Sequence, residues 1–123
     1  LQAAGERSLG RELGMTGLPH SLALVLKPGY VAIHSNGSLP NSSHESFALA
    51  KTSCKLDLSD AVVLFSFSAR QCSLTVTVNN TQLLRCHLLV HKILKTASVW
   101  HGFTTMCDPN VAPTRIPNWE LIL

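Results

Sequence analysis

The chain predicts a mainly β fold, an antiparallel two-sheet sandwich of short strands, and three observations carry that expectation. Apolar and polar residues alternate with period two in several segments, most cleanly in Cys72-Ser73-Leu74-Thr75-Val76-Thr77-Val78. Turn chemistry separates these segments at Lys27-Pro28-Gly29 and at Asn79-Asn80. With 123 residues, 46% of them hydrophobic and only 14% charged, the chain can bury a core and is too apolar for disorder over most of its length.

Residues 1–19 are Gly-rich and poorly patterned; Gly10 and Gly14 weaken the helix that Glu6 to Met15 could otherwise make. Residues 20–123 read as a single β domain. Leu22, Leu24 and Leu26 alternate with Ser21, Ala23 and Val25, then Pro28 presets its φ and Gly29 accepts positive φ. Tyr30-Val31-Ala32-Ile33-His34 returns as the second strand of a hairpin. Residues 35–45 form a polar loop. Short strands are expected near Ser46–Ala50 and Ser53–Leu58, the latter with Cys54, Leu56 and Leu58 on one face. Asp60 to Ala69 is the strongest strand signal, with Val63, Phe65 and Phe67 facing the core.

For the hairpin after Val78 the apolar pattern selects a register. A two-residue loop would set Leu74 against Arg85, mixing the faces; a three-residue loop, Asn79-Asn80-Thr81, pairs Val76 with Leu84, Leu74 with Cys86 and Cys72 with Leu88. Leu83, Cys86, Val90, Ile93 and Ala97 fall at helical spacing, so the stretch 83–97 is left open between strand and helix, a strand that runs into a helical turn being one reading. Ser98 to Thr104 reads as another strand, Met106 to Asn118, with its three prolines, as a loop or extended edge, and Trp119 to Leu123 as a closing strand.

The segments Leu22-Ala-Leu-Val-Leu-Lys-Pro-Gly-Tyr-Val-Ala-Ile and Leu74-Thr-Val-Thr-Val-Asn-Asn-Thr-Gln-Leu-Leu resemble concanavalin-A-like sandwiches, meaning laminin G-like modules and galectins, over roughly residues 20–104. That resemblance implies a jelly-roll sandwich and a recognition role. The chain departs from the galectin sugar site, whose His-x-Asn-x-Arg strand is here His34-Ser35-Asn36-Gly37-Ser38 with no Arg nearby. An immunoglobulin-like sandwich accounts for the same alternation, without the Cys…Trp…Cys order of that family.

Three N-glycosylation sequons occur, at Asn36, Asn41 and Asn79, where roughly one is expected by chance. Two fall in the polar loop and one at a hairpin tip, where a glycan can be reached. Cys54, Cys72, Cys86 and Cys107 form no C-x-x-C couple, so in a sequon-bearing chain they are expected as disulfides rather than as a zinc or redox site. Cys72 and Cys86 are not directly opposed in either hairpin register, which weighs against a bond between them. The ten Lys/Arg against seven Asp/Glu give a net charge of +3, scattered rather than gathered in an aromatic-lined stripe, which argues against nucleic acid as a partner. No apolar run reaches the ~18 residues of a membrane span. The N-terminal residues carry no apolar signal core, so a secretion signal is expected to be already removed or never present.

Catalytic patterns are weak. No Gly-x-Ser-x-Gly elbow or phosphate-cradling glycine loop occurs, and Asp57 and Asp60, three apart, would lie on opposite faces of a strand. His87 and His91 share a face but lack carboxylate company, so no metal and no cofactor is expected. Trp100 and Trp119 are the candidate contact residues. The expectation is a non-enzymatic extracellular module, secreted or an ectodomain, that engages a protein or glycan through a sheet face or loops. The alternative is an intracellular or viral adaptor or assembly domain with accidental sequons and reduced thiols, which exposed apolar surface around Trp119 to Leu123 or a stable oligomer would favour.

Overall fold

The computed structural model describes residues 1, 15, 17–27, 29–55, 57, 60–96, 98–104 and 115–120. It is mainly β, with two antiparallel three-stranded sheets and little helix. The first sheet runs β1 (Ala23–Lys27), β2 (Tyr30–His34) and β3 (Ala48–Thr52) in order, with a single 3₁₀ turn, Glu45–Phe47, leading into β3. The second runs β4 (Val63–Ser68), β5 (Ser73–Val78) and β6 (Thr81–His87), followed by the one-turn helix α1 (Val90–Leu94).

The first hairpin forms as the Pro-Gly text predicts. Lys27 pairs with Tyr30, and Gly29 carries φ +72°, the conformation that a residue with a Cβ resists. Pro28 lies outside the described residues. Alternation then splits the sheet into two apolar faces. Leu24, Leu26, Val31 and Ile33 turn to the core shared with the second sheet, whereas Val25, Tyr30 and Ala32 gather with Met15 on the opposite side. Every residue of β2 is buried, which fits a central strand covered on both faces. Although residues 2–14 and 16 lie outside the described set, the N-terminal segment contributes to this arrangement: Leu1 exchanges backbone hydrogen bonds with Leu22, and Met15 is buried.

The β5–β6 hairpin has the apolar register the sequence selects, reached by a different route. Val76 pairs with Leu84 and Leu74 with Cys86, and the Leu88 amide donates to the Cys72 carbonyl at 2.9 Å. The loop, however, has two residues, with Asn79 and Asn80 at φ +48° and +65° and Val78 paired with Thr81. Those positive φ values are the signature of a tight turn whose twist matches the strands, and Asn tolerates them. The surplus residue is absorbed by a bulge between Val76 and Thr77, which places Leu83 between two paired neighbours.

Leu22, Val31, Ile33, Leu74, Val76, Leu84 and Leu94 form the shared core, so both sheets and α1 meet there. Each such side chain contributes about 1.5–3 kcal/mol on burial. A single helical turn is unstable alone. Here Leu94 anchors α1 in the core, and Lys95 at φ +58° closes it with its amide on the His91 carbonyl. Strand and helix, the two readings left open for 83–97, thus follow one another as β6 and α1, with Ala97 outside the described residues.

Three expected strands do not form among the described residues. Residues 53–55 and 57 are irregular, and Leu56 and Leu58 lie outside the described set. Residues 98–104 are exposed coil apart from an isolated bridge at Trp100. Trp119 and Glu120 are exposed coil, and 121–123 lie outside the described residues. Alternation specifies a face but not a partner, and among the described residues no strand lies beside these segments to complete a ladder.

Candidate functional site

Two assemblies of side chains stand out: a buried polar network behind the first sheet and an exposed aromatic cluster near the C-terminus.

Tyr30 and His34 are four residues apart on one strand, so their side chains share a face. The Tyr30 hydroxyl lies 2.9 Å from His34 Nε2, and His34 Nδ1 lies 2.9 Å from the Ser42 carbonyl. A carbonyl only accepts, so Nδ1 carries the proton and Tyr30 donates to Nε2, which defines one neutral tautomer. His34 is 0% exposed. Burial pushes its pKa below the usual imidazole value and outweighs the opposing bond to Ser42; Lys27 adds to the depression and Glu45 opposes it. Burial likewise raises the Tyr30 hydroxyl, with Glu45 adding to the shift and Lys51 opposing it.

Asn41 extends the network. Its Nδ2 donates to Ser21 Oγ at 3.1 Å and to the His34 carbonyl at 3.2 Å, while its Oδ1 accepts from the Ser42 amide at 2.9 Å. Further backbone bonds run from Asn41 to Leu18, from His20 to Gly37 and from Ser35 to Phe47. Beside the network an open, shallow depression is lined by Lys27, Ser43, His44 and Glu45, and Glu45 pairs with Lys51 at 2.9 Å in solvent. A second shallow depression is lined by His91, Lys92, Lys95 and Thr96.

The sequons separate in this light. Asn79 is exposed, and its contact with the Val62 amide uses the amide oxygen, not the nitrogen that a glycan would take. Asn36 is half-buried and donates one Nδ2 hydrogen to the Pro40 carbonyl at 2.8 Å, which leaves the other for a glycosyl bond. Asn41 differs from both: it is 2% exposed and both Nδ2 hydrogens are engaged in this fold, which leaves neither for a glycosyl bond.

No disulfide is formed among the described cysteines. Cys54, Cys72 and Cys86 are free thiols, and Cys107 lies outside the described residues. Cys54 follows β3 beside the first hairpin, its amide on the Gly29 carbonyl, whereas Cys72 opens β5 across from Leu88. Cys86 turns to the core opposite Leu74, where burial raises its thiol pKa against a weaker opposing bond from the Leu74 backbone. Such a thiol packs as an apolar group and is a poor nucleophile.

At the other assembly, the Trp119 ring meets His101 at 5.3 Å and Phe103 at 5.9 Å between centroids, both edge-to-face. Trp100 and Trp119 remain 65% and 59% exposed, and Val99, Phe103 and Ile116 are exposed beside them in sequence. The cluster joins 98–104 to 115–120. The sequence marks both Trp residues but not their association with His101 and Phe103, which no local spacing encodes. The His34 network was legible in one respect only, the spacing of Tyr30 and His34 on an apolar strand.

His87 lies opposite Ser73 on β6 and His91 on α1, both exposed. Among the described residues no group of three or more His, Cys, Asp or Glu is placed to hold a metal, and no helix is long and apolar enough to cross a membrane. No protein-family model matches the chain, and neither does a curated protein or a solved structure.

Proposed function

We propose that the chain is a non-enzymatic binding module, displayed outside the cell, that engages a protein partner through the aromatic surface of 98–104 and 115–120. The observation that supports it is the cluster of Trp119, His101 and Phe103 beside Trp100, held in solvent by ring contacts between two separate segments. Exposed aromatic groups of this kind are enriched at interface centres, where they bury area at low entropic cost. The extracellular half of the proposal draws on Asn36 and Asn79, whose amide nitrogens have capacity for a glycan. The two sheets sharing one core fit a sandwich of the jelly-roll, concanavalin-A-like kind, with the immunoglobulin-like arrangement as the other form. A glycan is the second partner class that a concanavalin-A-like fold would serve.

Specific observations favour a second reading, an intracellular or viral adaptor or assembly domain: three free thiols and the exposed apolar surface around Trp119. Both readings use the same surface and differ in compartment. Intact mass of material from a mammalian secretory host, before and after peptide-N-glycosidase and before and after reduction, separates them. Glycan mass removed by the enzyme supports display outside the cell; unmodified protein with four free thiols overturns it. Binding of the labelled domain to intact cells should fall on Trp119→Ala and Trp100→Ser, and binding unchanged by both substitutions overturns the assigned surface.

A further inference from the structure

The edge of the second sheet formed by β4 pairs only with β5 among the described strands. It is unusual in its chemistry. From Ala61 to Ala69 it holds no charge, and Val62, Leu64 and Phe67 are 72%, 52% and 44% exposed. Natural sheets blunt such edges with charged residues, prolines or a covering segment, because the open ladder otherwise recruits another strand. Here the charges stand at the two ends: Asp60 before the strand and Arg70 after it, both exposed and neither in an ion pair among the described residues.

The hydrogen-bonding phase of this edge follows from one observed contact pair. The Val62 carbonyl accepts from the Asn79 amide at 2.9 Å, and its own amide donates to Asn79 Oδ1, so the polar groups of Val62 point toward β5. By antiparallel alternation those of Leu64, Ser66 and Ser68 do the same, which leaves the amides and carbonyls of Val63, Phe65 and Phe67 facing outward.

We infer that β4 is a self-association edge, which pairs antiparallel with β4 of a second copy of this chain about a two-fold axis at Phe65. In this register Val63 lies opposite the partner's Phe67 and Phe65 opposite its own counterpart. All the outward-facing residues then meet one another, forming roughly six backbone hydrogen bonds and one continuous six-stranded sheet. The same register brings Asp60 of each copy toward Arg70 of the other, twice, because the two-fold repeats every contact. Registers centred on Leu64 or Ser66 also keep the hydrogen-bonding phase but misalign these charges, so the charge pattern selects the register. This inference stands independently of the aromatic surface and of the compartment.

Sedimentation velocity of the unglycosylated full chain in reducing buffer, over roughly 5–500 µM, should show a reversible monomer–dimer equilibrium, the weak kind expected of a small interface. Asp60→Lys and Arg70→Glu, each with its fold verified by circular dichroism, should each weaken self-association roughly tenfold by placing like charges at both ends. A 1:1 mixture of the two variants should restore it, since the heterodimer regains two opposite-charge contacts. A wild-type chain that stays monomeric throughout the range overturns the inference. So does self-association that either single variant leaves unchanged, or that the mixture fails to restore.

Discussion

Lowering the pH from about 7.5 to about 5.5 should destabilise the folded chain through His34, and the size of the effect follows from where its proton cannot go. In the neutral tautomer both ring nitrogens are satisfied, Nδ1 by the Ser42 carbonyl and Nε2 by the Tyr30 hydroxyl, at a site with no exposure. A proton added at Nε2 would face a hydroxyl that must turn around to accept, with Lys27 repelling the new charge and only Glu45 attracting it. The folded-state pKa therefore lies below the ordinary value of 6.5, with burial as the main cause. Below about pH 6.5 the unfolded chain takes up a proton that the folded chain refuses, so stability is lost as pH falls from there toward the folded pKa. One pH unit below the unfolded pKa the loss reaches about 1.4 kcal/mol if the folded imidazole stays neutral, on the order of a 5 °C drop in Tm for a domain of this size. Glu45 does not confuse this window. The Lys51 hydrogen bond holds its carboxyl below the usual range, so its contribution is present above about 4.5 and is lost only below that pH. Urea titrations of wild type and His34→Gln at both pH values measure the difference, and the variant should lose less stability than wild type on acidification. Equal losses would refute the argument, as would an NMR titration in which the His34 ring protonates at or above pH 6.5 in the folded state.

Asn41→Ala should cost about 1–3 kcal/mol by urea unfolding, because it removes the donor to the buried His34 carbonyl and to Ser21 Oγ, which keeps only its own bond to the Leu18 carbonyl. In secreted material, glycopeptide mapping should find occupancy at Asn36 or Asn79 and none at Asn41 in the folded product, since its amide is fully engaged. Asn79→Val should cost about 1–2 kcal/mol for a β-branched residue held at φ +48°, with a further loss from the bond to Val62, read as a shift in Tm; Asn80→Gly at φ +65° should be neutral or stabilising. Leu94→Ala should cost about 2–5 kcal/mol and undock α1, seen as loss of its amide protection in hydrogen exchange.

The elements legible in the sequence were those whose instructions are local. Pro28-Gly29 and the alternation on either side specify the first hairpin completely. The β5–β6 pairing was legible at the level of faces, since Val76, Leu84, Leu74 and Cys86 must lie together, but the means was not: counting residues cannot distinguish a longer loop from a two-residue turn with a bulge at Leu83. The strands expected at 53–58 and 98–104 show the opposite limit, in which a competent face meets no partner strand among the described residues. The aromatic cluster and the burial of Asn41 were illegible because both depend on contacts between segments distant in sequence: Trp119 on His101 and Phe103, Asn41 on Ser21.

The stitching of residues 35–45 has a consequence for how the chain yields to attack. Its polar composition is that of a mobile surface loop, the usual point of proteolytic nicking. Yet its inner side is tied down by the Asn41 side chain on Ser21, by His34 on the Ser42 carbonyl and by backbone bonds to Leu18, His20 and Phe47. A protease must draw an extended stretch into its cleft, and here that means first exposing Asn41 and His34 to water. Cleavage in this loop would then report cooperative opening of the first sheet rather than local fraying, which makes it a clock for the domain's own unfolding.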